Sequence, residues 1–354
     1  MSAIEVDELP IPEAVGAAGW DDFVAGIRVQ HRADAKWFAT TERATSPEDE
    51  LAHVRDPYRP AALVIAREGD RVVGFGSVIF QAGEDETAWA YATTDPDHEG
   101  RGIGRGLMDA VEDAVRRHGR RKVIAYVPEN DLGGERRIPP TGGGSIPEHS
   151  RTTRFMDARG YRLEQVNRLS RLALPVEGIA ERLAAAVERS GPDFRLHRWV
   201  GPTPERWLNG MAELFTRMST DPPDGGVGTP EDVWDAARVV AEGERLQREN
   251  PSTFVVTAVE HVPSGVLAGF TDMAVPPELP RGVHQWSTIV LEEHRGHRLG
   301  MLLKLANLAH LQEVAPGHPS VLTFNAEENR PMLDVNEALG FVQISYEGLW
   351  RLDL

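Results

Sequence analysis

The sequence predicts an α/β (α+β) protein made of two tandem domains of the same design. The chain has 354 residues, and at roughly 150 residues per domain this length suggests two domains. A glycine-rich stretch, HEGRGIGRGL at 98–107, has a weaker copy, HRGHRLGMLL at 294–303. The pattern of strands and helices around both copies follows the same order. We therefore divide the chain into residues 1–175 and 176–354, with a connecting helix at 177–191.

The first half alternates strand and helix signals on either side of its glycine loop. LVIAREGDRVVGFGSVIF (63–80) predicts a hairpin that turns at EGD, and TAWAYATTD (87–95) predicts a further strand. A helix, GLMDAVEDAVRRHG, follows the loop, since Leu107, Val111 and Ala114 fall on one face and Gly119 marks its end. A strand at 122–128, a Gly/Pro-rich loop at 128–147, a short helix ending at Gly160 and a last strand complete this half.

The second half repeats this order with a shorter connection before its last helix. It reads as a hairpin at 252–275, a strand at 284–292, the loop copy, a helix, the strand SVLTFN, the helix RPMLDVNEALG and a final strand. Each half also opens with helical patterns, at 13–30 and 46–55 and at 204–220 and 230–249. Each domain is expected to be a mixed, mostly antiparallel twisted sheet flanked by helices.

Composition excludes several classes of function. The formal net charge of −17 disfavours nucleic-acid binding, which needs many Lys and Arg side chains against phosphates. The absence of cysteine excludes disulfides and thiolate chemistry. No apolar run is long enough to span a membrane, and the acidic N-terminus does not resemble a signal peptide. These features predict a cytoplasmic protein, monomer or homodimer, with neither a membrane nor a nucleic acid as partner.

The glycine stretch lies between a predicted strand and a predicted helix, which is a common arrangement for anion binding. Free N–H groups at a helix N-terminus point outward, and glycines let the backbone approach a phosphate closely. A Walker A loop would end in Gly-Lys-Ser/Thr, whereas this loop has Gly104-Arg105-Gly106. A dinucleotide-binding Gly-x-Gly-x-x-Gly pattern also fails, because its sixth position is Arg105 or Leu107.

The order of elements and the loop resemble the GCN5-related N-acetyltransferase (GNAT) family over nearly all of both halves. The family's loop pattern is [QR]-x-x-G-x-[GA]. The first half matches both glycines, as Gly102 and Gly104, but has Glu99 at the leading position. The second half keeps Arg295 and Gly300, with Arg298 in place of the first glycine. The resemblance implies two GNAT-like domains and acetyl-CoA or another acyl-CoA as co-substrate.

The resemblance also implies which residues hold the acyl-CoA. Loop amides would bind its pyrophosphate, and a strand that splays from its neighbour would pair with its pantetheine arm. Arg101 and Arg105 are expected to offset the charge of Glu99. The cofactor-binding residues implied are Ala92, Thr94, Arg101, Gly102, Ile103, Gly104, Arg105 and Gly106 in the first half, and Thr288, Val290, Arg295, Gly296, Arg298, Gly300 and Asn329 in the second.

Catalytic residues are harder to assign from the sequence. Relatives often use a tyrosine in the short helix before the last strand to protonate the departing thiolate, but Met156 and Asn336 occupy that position here. Proton transfer near neutral pH needs a group beside the acyl end of the site. The candidates are His149, Tyr126 and Tyr91, followed by Glu129 and Asp131 at the start of the long loop. His294 and His297 lack a third ligand nearby, so no metal is predicted.

The sequence therefore predicts an acyl-CoA-dependent N-acyltransferase. The amine of a small molecule or peptide would attack the thioester directly in a ternary complex, and the first half is favoured as the acyl-CoA site. Two alternatives remain open at this stage. One is a non-catalytic acyl-CoA-binding or sensor protein, because neither half has the tyrosine. The other is a transferase in natural-product biosynthesis that uses a longer acyl group or a carrier-protein donor.

Overall fold

The computed structural model describes residues 3–130 and 133–354, so the candidate Asp131 lies outside the described residues. The predicted mixed α/β class is confirmed: a large mixed sheet is flanked by helices. The first half contributes β1 (Ile4–Leu9), α1 (Trp20–Trp37), α2 (Pro47–Val54), β2 (Ala61–Glu68), β3 (Arg71–Phe80), β4 (Thr87–Thr94), α3 (Ile103–Arg117), β5 (Lys122–Glu129), β6 (Arg136–Arg137), β7 (Ile146–Pro147), α4 (Arg151–Ala158) and β8 (Arg162–Ala173).

The second half repeats most of these elements after the connecting helix. It contributes α5 (Ile179–Ser190), β9 (Phe194–Val200), α6 (Leu208–Met218), α7 (Ala236–Glu249), β10 (Thr253–His261), β11 (Val266–Val275), β12 (Val283–Val290), α8 (Leu299–Val314), β13 (Ser320–Ala326), α9 (Arg330–Leu339) and β14 (Val342–Asp353). Apart from the two-residue strands β6 and β7, which lie inside the predicted loop at 128–147, two long strands, β1 and β9, were not predicted. They form the two outer edges of the sheet, where one unpaired side weakens the burial pattern that reveals a strand.

The twelve long strands form one continuous sheet in the order β1-β2-β3-β4-β5-β14-β8-β13-β12-β11-β10-β9. The pairs β4–β5 and β12–β13 are parallel, and the other neighbours are antiparallel. Strand order in one half mirrors strand order in the other about the β14–β8 pair. The doubled sequence has therefore produced a doubled sheet with the two halves joined edge to edge.

The two halves exchange their last strands at this junction. Strand β14, from the end of the chain, pairs with β5 of the first half along Tyr346–Asp353. Strand β8 pairs with β13 of the second half and with β14. Each half-sheet is thus completed by a strand of the other half. The division at residue 175 stays a prediction about the sequence repeat, because the strand pairing crosses it.

The hydrophobic cores follow the exchanged strands. On the α3 side of the first half, Trp350 of β14 is fully buried among side chains that include Leu107 and Val111. On the α8 side of the second half, Leu172 of β8 packs with residues such as Leu302. Burial of apolar surface is the main favourable term in folding, so the exchange couples the stability of the two halves.

Helix α3 begins earlier than the sequence indicated. The prediction began this helix at Gly106, but the helix starts at Ile103, so Gly104 and Gly106 both lie in its first turn. Glycine costs less here than in a helix interior, since the first N–H groups have no partner inside the helix in any case. A Cβ at Gly106 would lie 3.0 Å from Val6 Cγ2, which explains a glycine at that position.

Candidate active site

The first glycine loop presents unpaired backbone amides at the N-terminus of α3. Gly100 and Gly102 adopt φ of +82° and +84°, a left-handed conformation that favours glycine. The amides of Arg105 and Gly106 bond to the Gly102 carbonyl at 3.1 and 3.2 Å. Within 99–106, all of which is described, the amides of residues 101–104 have no partner in the protein. These amides form a concave donor set suited to an anion.

The charged side chains around the loop are paired differently from the prediction. Arg101 binds Glu68 with both guanidinium nitrogens, and this contact lowers the pKa of Glu68. Glu99 is neutralised by Lys36, at 2.7 Å, and by Arg151, at 3.4 Å. The expectation that Arg101 offsets Glu99 is therefore wrong.

Arg105 is the loop cation that remains available to a ligand. Its side chain is exposed, and it makes no ion pair or hydrogen bond with the described residues. It follows the unpaired amides directly, in the first turn of α3. A phosphate at those amides would therefore meet a free guanidinium, which is well suited to phosphate oxygens.

The strand before this loop splays from its parallel neighbour. β4 pairs with β5 only from Thr87 to Ala90, whereas it pairs with β3 from Ala88 to Thr94. Past this point β5 continues to pair with β14 on its other side. The stretch of β4 that carries Ala92 and Thr94 therefore has an open edge facing a gap in the sheet. Unpaired backbone groups at such an edge can bind an extended ligand as a further strand would.

A polar cluster lies on the α1 side of the sheet at this gap. Tyr91 donates a hydrogen bond to Asp34 Oδ1 at 2.9 Å, and Arg43 pairs with Asp34 at 2.8 Å. Alternation along β5 and β14 places Tyr126 and Glu347 on the same face. Two tyrosines from splayed strands and two carboxylates thus converge beside the gap.

Burial shifts the protonation of this cluster toward neutral forms. It raises the pKa of Glu347, and the nearby Arg43 partly opposes this shift. It also raises the pKa of Tyr91 and of Tyr126, with the charges of Asp34 and Glu347 adding to the effect. Both phenols stay protonated near neutral pH, so they can donate protons or hydrogen bonds but cannot act as bases.

Glu347 could not be found by reading the first half of the sequence. It lies on β14, opposite Pro128 of β5, and its Oε1 accepts a hydrogen bond from Asn167 Nδ2 at 3.2 Å. Its place beside Tyr126 depends entirely on the strand exchange. The sequence offered one indirect signal, since Glu347 and Asn167 occupy matching positions in the last strands of the two halves.

Glu129 is a second carboxyl group with an altered pKa, on the opposite face of the sheet. Its side chain accepts hydrogen bonds from Ser150 at 3.0 Å and Thr153 at 3.4 Å, at the start of α4. Burial raises its pKa to about 7. The group is 1% exposed, so it reports on the packing of α4 against β5.

This pKa predicts a pH dependence of stability. A carboxyl group with a raised pKa holds more protons in the folded state, so folding stability falls as pH rises from about 4.5 to 7. In the Glu129→Gln variant that loss is absent. We therefore expect the difference in free energy of unfolding between the variant and the wild type to shift in favour of the variant as pH rises through this range. The shift should be on the order of 2 kcal/mol. Urea denaturation at several pH values measures the difference, and parallel curves for the two proteins would contradict it.

His149 does not join the other catalytic candidates. Its side chain is 71% exposed, and its Nε2 lies 3.4 Å from a carboxylate oxygen of the exposed Glu135. It precedes α4, whose side chains pack in the core on the α3 side, whereas Tyr91 and Tyr126 face the α1 side. Ser150, and not His149, caps the N-terminus of α4. The structure thus brings together two of the three predicted residues.

The second loop reproduces the first with a side chain where glycine is expected. Gly296 has φ of +88°, and Arg298 has φ of +60° immediately before α8, the position that Gly102 holds before α3. Arg298 is exposed, and its side chain has no partner among the described residues. Arg295, by contrast, is bound to Asp221 at 2.8 Å and to the Val290 carbonyl at 3.2 Å. Arg298 therefore keeps the turn and supplies a free cation.

The left-handed backbone of Arg298 predicts a stability difference between two substitutions. Arg298→Gly and Arg298→Ala both remove the guanidinium, but only glycine relieves the strain of a positive φ. We expect the glycine variant to be about 1 kcal/mol more stable than the alanine variant. Urea denaturation compares them, and equal midpoints would show that the turn relaxes without cost.

The second half also has a splayed strand pair, and here the gap contains a cleft. β12 pairs with β13 only at Val283 and His284, and β12 then bulges before Thr288. The cleft has a volume of about 200 Å³ and passes between these strands. Its lining includes Thr288, Asn325, Asn329, Met332 and Lys304. Asn329 also caps α9 through its side chain, so a structural role already accounts for it.

No metal site is found in the described part of the chain. Within residues 3–130 and 133–354, no group of three or more His, Asp or Glu side chains could hold a metal ion. His294 and His297 pack against the ring of Phe194 instead. No described helix is long and apolar enough to cross a membrane.

The two halves share one site geometry. Each half places the N-terminus of a helix that follows a glycine loop beside a splayed parallel strand pair. Residues 30–134 match the model of the Acetyltransferase (GNAT) family. No curated protein matches the chain.

Solved structures extend the match to the whole chain. A tandem GNAT protein from the clavulanic acid biosynthesis pathway, solved without acetyl-CoA, is 26% identical with a TM-score of 0.72. The similarity covers 99% of this chain and 98% of that one. A GCN5-related N-acetyltransferase from Sphaerobacter thermophilus is 14% identical with a TM-score of 0.63, covering 99% and 95%. The GNAT family model thus matches within the first half, and the similarity to the tandem GNAT protein extends over both halves.

Proposed function

We propose that this protein transfers an acyl group, acetyl in the simplest case, from CoA to an amine, with the donor bound in the first half. One observation carries the proposal: the unpaired amides of residues 101–104 lie directly beside the open edge of β4. The amides suit a pyrophosphate, and the edge suits an extended amide-bearing arm such as pantetheine. Acyl-CoA carries both groups in one molecule.

The donor would follow a single path from the loop to the polar cluster. Its pyrophosphate would bind the amides at the N-terminus of α3, with Arg105 as a charged partner. Its pantetheine arm would pair with the backbone of β4 near Ala92 and Thr94. The thioester would then lie in the gap between β4 and β5, within reach of the face that carries Tyr91 and Tyr126.

The acceptor would approach from the α1 side, where Asp34 and Glu347 lie. Asp34 is already paired with Arg43, so Glu347, whose pKa burial raises, is the carboxyl group left to accept a proton from the amine of a small molecule or peptide. Glu347 takes the proton of the attacking amine, and the nitrogen forms a bond to the thioester carbonyl carbon. The carbon–sulfur bond then breaks. The candidate donor of a proton to the departing CoA thiolate is the phenol of Tyr126.

This assignment predicts the effect of Glu347→Gln. Glutamine keeps the size and hydrogen-bonding capacity of the side chain but cannot accept a proton. We expect kcat to fall by about 10²–10⁴-fold with little change in acetyl-CoA affinity. Release of free CoA thiol measures turnover, and the exposed Glu313→Gln variant is the matched control. Unchanged kcat would exclude Glu347 as the base.

Calorimetry with acetyl-CoA, followed by a screen of amines for release of free CoA, tests the proposed function as a whole. Binding together with turnover on an amine supports it. Binding without turnover on any amine favours a sensor, the alternative suggested by Met156 and Asn336 at the positions where relatives often have a tyrosine. The absence of acetyl-CoA binding in the wild type would contradict the proposal.

A further inference from the structure

A buried lysine distinguishes the cleft of the second half from the site of the first. Lys304 lies on α8 and is 1% exposed, yet it lines the cleft between β12 and β13. It makes no hydrogen bond or ion pair with any described residue, and its nearest aromatic neighbour is Phe341, with Nζ 5.5 Å from the ring centroid. Burying a cation without a partner costs free energy, so this position calls for an explanation.

The rest of the cleft favours an anion next to Lys304. Of the fifteen described residues that line it, Lys304 alone is charged, in a chain whose net charge is −17. The other polar groups, such as Asn325, Asn329 and Thr323, are neutral amides and hydroxyls. At the corresponding position in α3 the first half has Met108, within an apolar core. The second half therefore places a buried cation where the first half has an uncharged side chain.

Lys304 lies close to the second glycine loop, on the helix that the loop leads into. Gly300 and Lys304 are one helical turn apart on α8, on the side that faces α9. Arg298 and the free amides lie at the exposed N-terminus of α8. Lys304 lies further along the same side of the helix, where it is buried. A ligand held by phosphate at the loop and extending into the cleft would bring its far end toward the Lys304 ammonium.

We propose that the second half binds an acyl-CoA whose acyl group ends in a carboxylate, with Lys304 as the partner of that carboxylate. This inference rests on the proposed function, because it assumes that the glycine loops bind CoA. It assigns Lys304 to binding and specificity and requires no chemistry of it. Succinyl-CoA and butyryl-CoA are the matched probes, since both acyl groups have four carbons and only succinyl is charged.

The test uses the Gly104→Trp variant, in which the first site is blocked, and measures binding of both probes by calorimetry. We expect succinyl-CoA to bind at least about tenfold more tightly than butyryl-CoA, a difference of about 1.4 kcal/mol. In the Gly104→Trp, Lys304→Met double variant this preference should disappear through weaker succinyl-CoA binding. Methionine occurs naturally at the equivalent Met108, so the fold should tolerate it, and a Lys304→Arg variant should keep the preference.

Proton uptake gives a second readout that a purely structural lysine would not move. Burial lowers the pKa of Lys304 to about 7, so at pH 8 most of it is neutral, and a bound carboxylate would draw a proton onto it. Titrations in buffers of different ionisation enthalpy should show net uptake for succinyl-CoA and none for butyryl-CoA. The other titratable groups around the cleft already have partners. Glu327 is paired with Arg168, Glu328 accepts a hydrogen bond from Gln165, and Arg330 is paired with Asp334 and Glu337. Burial keeps His284 neutral by lowering its pKa to about 3.

Several outcomes would overturn the inference. Equal affinity for the two probes would do so, as would a preference that persists in the Lys304→Met variant. If the Gly104→Trp protein binds neither probe while the wild type binds acetyl-CoA, the second cleft does not take CoA thioesters and the proposed function still stands. If the wild type binds no acetyl-CoA either, the proposed function itself fails.

Discussion

Gly104→Trp should weaken acetyl-CoA binding to the first half by about 100-fold or more. Position 104 lies in the first turn of α3, among the unpaired amides that would hold the pyrophosphate. An indole there would occupy the space of the phosphate and displace at least two hydrogen bonds to a charged group. Each such bond contributes about 1.5–3 kcal/mol, so losing two removes roughly 3 kcal/mol or more of binding free energy. Calorimetry measures the loss directly.

Gly104→Ala is the matched control at the same position. A Cβ there would lie 3.7 Å from Thr94 Oγ1, an ordinary contact, and alanine suits a helix better than glycine. We expect this variant to bind acetyl-CoA nearly as well as the wild type and to be equally stable. If Gly104→Trp binds normally and Gly300→Trp does not, the acyl-CoA site belongs to the second half.

Trp350→Ala should destabilise the first half severely, although Trp350 belongs to the last strand of the second half. Its side chain is fully buried in the core between α3 and the sheet, because β14 has crossed into the first half. Removing a buried tryptophan typically costs about 3–5 kcal/mol, a large share of the 5–15 kcal/mol that stabilises most domains. We expect a large drop in urea midpoint together with loss of acetyl-CoA binding at the first site.

Val342→Ala provides the control on the same strand. Val342 is 66% exposed, so its truncation should change the free energy of unfolding by about 0.5 kcal/mol or less. A Trp350→Ala variant that keeps its stability and its ligand binding would contradict the strand exchange. A drop confined to the second half, with the first site intact, would show that β14 completes its own half instead.

The elements next to the glycine loops could be predicted because their signals are local. The turn residues, the apolar stripe on α3 and the hairpin spacings are each encoded within about fifteen residues of sequence. The repeat then showed that the fold is doubled. The exchange of β8 and β14 left no such signal, because a strand looks the same in sequence whichever half it pairs with, and the edge strands β1 and β9 have too few buried positions to be distinctive.

The site residues also fall into two groups, those that the sequence could predict and those that it could not. The loop glycines and the splayed strands follow from the motif, and Tyr91 and Tyr126 lie on the same face of the sheet at the gap. Asp34 and Glu347 reach that gap through tertiary packing that no spacing reveals. Lys304 did carry a signal that went unused, since it is one of only three lysines and the only Lys, Arg, Asp or Glu in the mostly apolar run LGMLLKLANLAHL. A lone charge on the buried face of a helix indicates either a partner or a ligand.

Backbone hydrogen exchange with and without acetyl-CoA tests the central claim most directly. The amides of residues 101–104 have no partner in the free protein, so they should exchange quickly and become protected when pyrophosphate binds them. The account predicts ligand-dependent protection of a peptide that spans residues 99–106. Acetyl-CoA binding that leaves this peptide unprotected, or that protects only the 294–303 copy, would contradict it.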